Sequence, residues 1–318
     1  MQEIFSQDRT FGDLGLRDSV LKALAERNFE RPTDIQAKLI PLILNGRDVL
    51  GQARTGTGKT AAFALPLLHL IDPKAAISAL VLVPTRELAQ QVTNEINGFA
   101  THAPVKATAI YGGEPIRAQV QRLQRDPAIV VGTPGRVMDL HQRRILSYDN
   151  IRFAVLDEVD RMLDIGFRDD IRKILGGIKS EHQTIFVSAT ISDEIETLAR
   201  RYMNDPEKIV TSAGSLTVQQ VQQSHIIVQH WDKKRLLLHL LTHEEPALTV
   251  VFCAMKDTVD KVAEYLKKHE IDVHAIHGDM YQNKRNRVMK KFRSGQLGVL
   301  LASDLAARGL DVEGITHV

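Results

Sequence analysis

A short apolar run ending at Val49-Leu50 leads into Ala53-Arg54-Thr55-Gly56-Thr57-Gly58-Lys59-Thr60, and the chain continues as Ala61-Ala62-Phe63-Ala64-Leu65. This reads as a strand, a glycine-rich turn and a helix, and it constrains the fold more than any other stretch. Glycines at 56 and 58 let backbone N–H groups turn toward an anion with no Cβ in the way. The helix start adds its positive dipole end, Lys59 can reach β- and γ-phosphates, and the Thr60 hydroxyl suits Mg²⁺. The general pattern has glycine where Ala53 stands, and a plain glycine-rich turn would not call for the Lys-Thr pair. The expectation is a chain that binds a nucleoside triphosphate.

A phosphate loop calls for a metal-holding acid and a group that positions water. Phe153-Ala154-Val155-Leu156 reads as a short buried strand with Asp157-Glu158-Val159-Asp160 at its end. Carboxylates at the C-terminal end of such a strand stand where α/β sheets bind ligands. Asp157 is expected to hold Mg²⁺ and Glu158 to orient the attacking water. The bland alternative is an acidic first turn of the helix that runs through Arg161-Met162-Leu163.

Further signals stand in order along the chain: Phe29-Glu30-Arg31-Pro32-Thr33-Asp34-Ile35-Gln36, Pro84-Thr85-Arg86-Glu87-Leu88-Ala89, Gly112-Gly113 and Thr133-Pro134-Gly135-Arg136. Beyond the acidic box come Ser188-Ala189-Thr190, Gln282-Asn283-Lys284-Arg285 and Ser303-Asp304-Leu305-Ala306-Ala307-Arg308-Gly309-Leu310-Asp311. Thr33 through Gln36 is a capping box, with Thr33 as N-cap and Gln36 at the third helical position. Thr133-Pro134 marks another helix start, and Pro84-Thr85-Arg86 opens a helix after the strand Leu80-Val81-Leu82-Val83. Helix starts attract anions, and Arg136 can add a charged contact to phosphate. Asn28 suits a left-handed helix end almost as well as glycine does.

Taken together these residues resemble the DEAD-box ATP-dependent RNA helicases of superfamily 2, from Phe11 to the last residue. The resemblance implies an α/β fold of two RecA-like parallel-sheet domains of the P-loop NTPase type, the second incomplete. It implies that Gln36 grips the adenine edge and that Phe11 packs on the base, although a core Phe explains Phe11 equally well. Gly309 and Asp311 join the nucleotide contacts by the same resemblance. Pro84, Thr85, Arg86, Gly113, Thr133, Pro134, Gly135 and Arg136 are then expected to hold the backbone of single-stranded RNA, joined by Gln282, Arg285 and Ser303. Ser188 and Thr190 link the ATP site to domain closure in the family.

The chain has 318 residues, 43% hydrophobic and 25% charged, which fits roughly two globular domains. A formal net charge of +2 is too small to advertise a polyanion, so RNA binding must rest on helix ends and local cations. One cysteine, Cys253, is read as a small buried hydrophobe; it leaves no disulfide or zinc cluster and suits a cytoplasmic location. Residues Met1 to Asp8 lack a leader pattern, and no apolar stretch is long enough to span a bilayer.

Strands are expected near 48–51, 80–83, 105–111, 128–131, 153–156 and 184–187, with helices near 60–70, 85–100, 134–144 and 192–203 between them. A second alternation follows, with strands near 225–229, 248–253, 273–277 and 298–302 and helices near 256–269 and 282–293. This argues for parallel sheets covered on both faces. The domains are placed at 1–208 for the ATP-binding half, 209–220 for a polar linker and 221–318 for a partial second half.

Two departures from the family pattern are Val159, bulkier than the usual Ala, and Ser303 in place of Thr. The sequence ends at Ile315-Thr316-His317-Val318, which reads as a strand start and hence as a fragment. The family's arginine-rich motif would follow, so the expectation is ATP binding with little turnover unless another residue such as Arg308 supplies that charge. Alternatives kept open are a non-hydrolysing ATP-gated RNA clamp and a DNA-directed translocase of the same superfamily.

Overall fold

The computed structural model describes residues 5–6, 8–54, 56–72, 74, 76–211, 222–244, 246–303 and 312–318. The chain divides into two compact units, Met1–Gln220 and Val221–Val318.

The first unit is built on seven strands: β1 (Val49–Gln52), β2 (Ala79–Leu82), β3 (Ala107–Ile110), β4 (Ile129–Gly132), β5 (Phe153–Asp157), β6 (Gln183–Ser188) and β7 (Glu207–Val210). All pairs are parallel and the spatial order is β3-β4-β2-β5-β6-β1-β7. Every residue of β2, β4 and β6 is buried, the near-continuous apolar pattern of a sheet covered on both faces.

Side chains alternate between the two faces. Val49, Val81, Ile129, Val131, Ile185 and Val187 join one apolar cluster, whereas Leu50, Leu80, Leu82, Val130 and Phe186 join the other. The first face is covered by α2 (Asp34–Leu44), α3 (Lys59–Leu70) and α4 (Arg86–Phe99) through Leu39, Phe63, Val92 and Ile96. The second is covered by α6 (Pro134–Gln142), α7 (Val159–Ile165), α8 (Arg168–Gly177) and α9 (Asp193–Tyr202) through Leu140, Met162, Ile174 and Leu198. Each such fully buried side chain contributes about 1.5–3 kcal/mol. Helices α1 (Asp18–Glu26) and α5 (Ile116–Leu123) also belong to the unit.

The turn after α1 follows from Asn28, which takes φ 58. The Asn28 N–H donates to the Ala25 carbonyl and the Phe29 N–H reaches back to Leu24, so the left-handed helix end expected there is formed.

The second unit carries β8 (Thr249–Cys253), β9 (Val273–Ile276) and β10 (Val299–Ser303) in the parallel order β8-β10-β9. Helices α10 (Lys233–His243), α11 (Lys256–Lys267) and α12 (Gln282–Arg293) pack around it. Phe292 and Val288 meet Leu300 on one face; Val259 and Leu266 meet Leu301 on the other. The Val250 N–H donates to the His317 carbonyl, so the residues around 317 run beside β8.

The structure corrects several expectations. Residues 225–229 form no strand; Ile227 is 93% exposed and no partner strand lies beside it among the described residues. A short run of β-branched residues has no strand preference of its own without a neighbour to pack on. Ile209 and Val210, assigned to the linker, belong to β7 and pair with Gly51 and Gln52. Cys253 is half-buried rather than fully inside. Helices α5, α8 and α10 were not anticipated. The remaining linker residues 212–220 and the segment 304–311, with Arg308, Gly309 and Asp311, lie outside the described residues.

Candidate functional site

The sheet order decides which motifs meet. The turns that follow β1, β5 and β6 lie together at the carboxyl edge of one half of the sheet; those following β2, β3 and β4 share the other half. Open parallel sheets take ligands at this edge.

In the first group, Gly58 adopts φ 82 and caps α3, while Gly56 adopts φ 78. Thr57 folds back to donate to the Arg54 carbonyl at 2.7 Å. Thr55 lies outside the described residues. Lys59 is buried, and its Nζ donates to the Ala53 carbonyl at 2.9 Å. The Ala53 N–H in turn donates to the Ser188 carbonyl at 2.9 Å, which joins the loop to the end of β6. Thr60 is half-buried in the first turn of α3.

Asp157 ends β5 with 3% of its surface exposed, and its Oδ1 is buried without a hydrogen-bond partner. Burial, reinforced by the Glu158 carboxylate, pushes the Asp157 carboxyl up to about 7 against the pull of Lys59. A buried carboxylate oxygen with no donor fits a divalent cation, which supplies the missing charge. Glu158 takes the left-handed conformation, φ 54 and ψ 52, and caps α7. That backbone is uncommon for a non-glycine residue and turns the chain sharply from strand into helix.

Asp160 joins this site to the Ser188-Ala189-Thr190 segment. Its N–H donates to Ser188 Oγ at 3.2 Å, and its Oδ2 accepts from both the N–H and Oγ1 of Thr190 at 2.9 Å. Gln52, the last residue of β1, donates from Nε2 to the Ala189 carbonyl at 3.2 Å. Sequence reasoning gave neither residue a role. Asp160 stood within the acidic box, and Gln52 stood immediately before the loop.

Gln36 makes the expected cap and adds a contact that the sequence did not suggest. Thr33 and Gln36 form the capping box, with the Thr33 N–H donating to Gln36 Oε1 at 2.9 Å. Its Nε2 donates to the Gly58 carbonyl at 3.0 Å, so α2 is tied to the phosphate loop. An amide has two N–H groups and two lone pairs on oxygen, so a donor and an acceptor remain for another partner. Phe11 is 3% exposed, belongs to the apolar core and packs on Phe29 with ring centroids 6.5 Å apart.

In the second group, the Val83 N–H donates to the Gly132 carbonyl and the Thr133 N–H donates to the Ile110 carbonyl, which holds the three strand ends side by side. Pro84 and Thr85 are buried, and the Thr85 hydroxyl caps α4 by accepting from the Leu88 N–H at 3.2 Å. Thr133 is the N-cap of α6 with Pro134 at the first helical position and Gly135 after it, but the Thr133 hydroxyl makes no capping bond. Gly113 adopts φ 82, and the Arg86 guanidinium occupies the space a Cβ would fill. Arg136 donates to the Glu114 carbonyl at 3.2 Å and faces Asp139 at 3.5 Å. Burial and the nearby Arg86 pull its pKa below the ordinary arginine value, against the opposing pull of Asp139. The connecting loop is held by fully buried Gln119, which bonds both the N–H and the carbonyl of Tyr111. Two arginines and two helix starts therefore converge on one small area, an arrangement suited to consecutive phosphates.

In the second unit, Arg285 is buried within α12, and Ser303 ends β10 buried and paired with Cys253. Gln282 opens α12.

Known proteins share this organisation. Residues 33–198 match the DEAD/DEAH box helicase family, and residues 232–318 match the helicase conserved C-terminal domain. The chain is 44% identical over 310 residues to the DEAD-box ATP-dependent RNA helicase CshA of Bacillus cereus, covering 97% of this chain and 59% of that protein. The CshA of Bacillus subtilis is equally similar, with 63% of its length covered. The chain thus spans about three fifths of these curated relatives. Among solved structures, a DEAD box protein of the hyperthermophile Methanococcus jannaschii is 39% identical, with TM-score 0.62, 95% of this chain and 82% of that chain covered. Saccharomyces cerevisiae Dbp5 bound to RNA and ADP–BeF3 is 28% identical, with TM-score 0.82, 95% of this chain and 78% of that chain covered. No helix among the described residues is long and apolar enough to cross a membrane. With the phosphate loop, the acidic box and the arginine pair on one sheet edge and both family domains matched along the sequence, this chain belongs to the DEAD/DEAH box helicase family.

Proposed function

We propose that this chain is the helicase core of an ATP-dependent RNA helicase, a cytoplasmic enzyme that remodels short RNA duplexes or RNA–protein complexes. The observation that carries this reading is the division of one sheet edge into an acidic, lysine-bearing half and a doubly arginine-bearing half. The names of the relatives point the same way.

On this reading the backbone from Ala53 to Gly58 cradles the triphosphate, and Lys59 exchanges the Ala53 carbonyl for phosphate oxygen. Asp157 and Thr60 would hold Mg²⁺, which would screen negative charge on the phosphates. Glu158, fixed by its left-handed backbone, orients the attacking water. The spare donor and acceptor of Gln36 address adenine. Asp160, through Ser188 and Thr190, passes the state of this site to the end of β6. Arg86, Arg136, Gly113 and the α4 and α6 starts take the RNA backbone without reading bases. Arg285, Gln282 and Ser303 are proposed as RNA contacts and Gly309 and Asp311 as nucleotide contacts of the second unit.

Steady-state phosphate release from ATP, with single-stranded RNA, single-stranded DNA or neither, tests this on the chain joined to a family arginine-rich motif, without which turnover is expected to be slight. Stimulation by RNA alone supports the helicase reading. Nucleotide-dependent RNA binding without turnover favours a non-hydrolysing clamp, and equal stimulation by DNA favours a DNA translocase.

A further inference from the structure

From Met280 to Ser303 the sequence has no acidic residue and six cations, Lys284, Arg285, Arg287, Lys290, Lys291 and Arg293. Most of this stretch is α12, whose buried stripe is Arg285, Val288, Met289 and Phe292. Lys284, Arg287 and Lys291 fall on another face at i, i+3 and i+7, and all three are exposed. Among the described residues no carboxylate pairs with any of them. Asp279, the nearest acid before the helix, is taken by Lys256 at 2.5 Å.

Tyr281 is the N-cap of the same helix, one turn before Lys284, and is 84% exposed. A large aromatic side chain left in water gains nothing from the fold, and here it heads a row of cations with no acid beside them. From 281 to 291 the row is about 15 Å long at 1.5 Å per residue, enough to follow two or three nucleotides of an extended strand. Aromatic platforms combined with a line of cations are how single-stranded nucleic acids are held without sequence preference.

We propose that the ridge Tyr281–Lys284–Arg287–Lys291 is a single-stranded RNA contact, in which Tyr281 stacks on a nucleobase and the three cations follow the phosphates. This rests on the RNA reading above, and it differs from the Arg285 contact because Arg285 is buried on another face. It adds a base-stacking element to a surface otherwise expected to touch only sugar and phosphate.

The test measures affinity for fluorescent oligouridylate as a function of salt, using the chain 1–318 and three variants. Tyr281→Ala is expected to weaken binding by about five- to hundredfold, the range for losing one stacked base. Tyr281→Phe, which keeps the ring, is expected to bind like the parent. The triple variant Lys284→Ala, Arg287→Ala, Lys291→Ala is expected to flatten the dependence of log K on log salt by about 2, near 0.7 for each phosphate no longer neutralised. Because all four side chains are exposed, thermal melts should match the parent. If the parent binds RNA and Tyr281→Ala and the triple variant bind it equally well, the ridge is refuted and the helicase reading stands. Failure of the parent to bind RNA would refute both.

Discussion

The side chain of Gln36 donates to the carbonyl of Gly58 at 3.0 Å, linking the start of α2 directly to the phosphate loop. The contact requires glycine at 58, because a Cβ there would overlap Gln36 Nε2 and because φ is 82. Gly58→Ala is expected to destabilise the chain by about 1–2 kcal/mol from the left-handed backbone alone. It should also lower ATP affinity at least tenfold by displacing the loop. Thermal melts and calorimetric titration of ATP with Mg²⁺ measure the two effects separately.

Gln36→Ala separates the structural and recognition roles of one amide. The variant keeps the Thr33 hydroxyl cap and loses the side-chain bonds to the Thr33 N–H and the Gly58 carbonyl, at about 0.5–1.5 kcal/mol each. If the remaining donor and acceptor address adenine, the variant also loses its preference for ATP over GTP. Retained selectivity with a lower melting temperature would leave Gln36 a purely structural role.

Gly113 makes room for the Arg86 guanidinium. Gly113→Ala is expected to cost about 1–2 kcal/mol for its φ of 82 and to weaken RNA binding by displacing Arg86. In an Arg86→Ala background the same change should have much less further effect on RNA affinity, since the displaced group is gone. Additive losses in the double variant would break the link between the two residues.

Val159 is fully buried in the cluster beneath β5 and β6. Val159→Ala, which restores the residue usual in the family, removes two buried carbons and is expected to cost about 1–3 kcal/mol. Denaturant unfolding measures this, and ATP affinity should change little because the side chain points into the apolar cluster.

The elements that sequence pattern revealed are those whose local and tertiary demands agree. Leu80-Val81-Leu82-Val83 is apolar because the strand is central, and Thr33 with Gln36 forms a cap wherever the helix is placed. Residues 225–229 looked like a strand by composition, but a strand also needs a neighbour. Helices α5 and α8 are half-exposed, with polar residues spread along them, so their apolar stripes are short. The site followed the same rule. The places of Lys59 at the start of α3 and Asp157 at the end of β5 were legible from local pattern, whereas the bridge from Asp160 to Thr190 depends on β5 and β6 being adjacent, which spacing along the chain does not encode. Likewise Phe11, readable as either a base contact or a core residue, is seen to be buried against Phe29.

If the two halves of the sheet edge take ATP and RNA as separate ligands, two variants must lose one affinity each. Lys59→Ala removes the charge proposed to meet phosphate, and the paired Arg86→Ala, Arg136→Ala change removes both guanidinium groups. Calorimetry with ATP and Mg²⁺ and anisotropy with single-stranded RNA in the absence of nucleotide give four affinities. On this two-site reading Lys59→Ala loses ATP and keeps RNA, while the arginine variant loses RNA and keeps ATP. Undiminished ATP affinity in Lys59→Ala, or undiminished RNA affinity in the arginine variant, would contradict it.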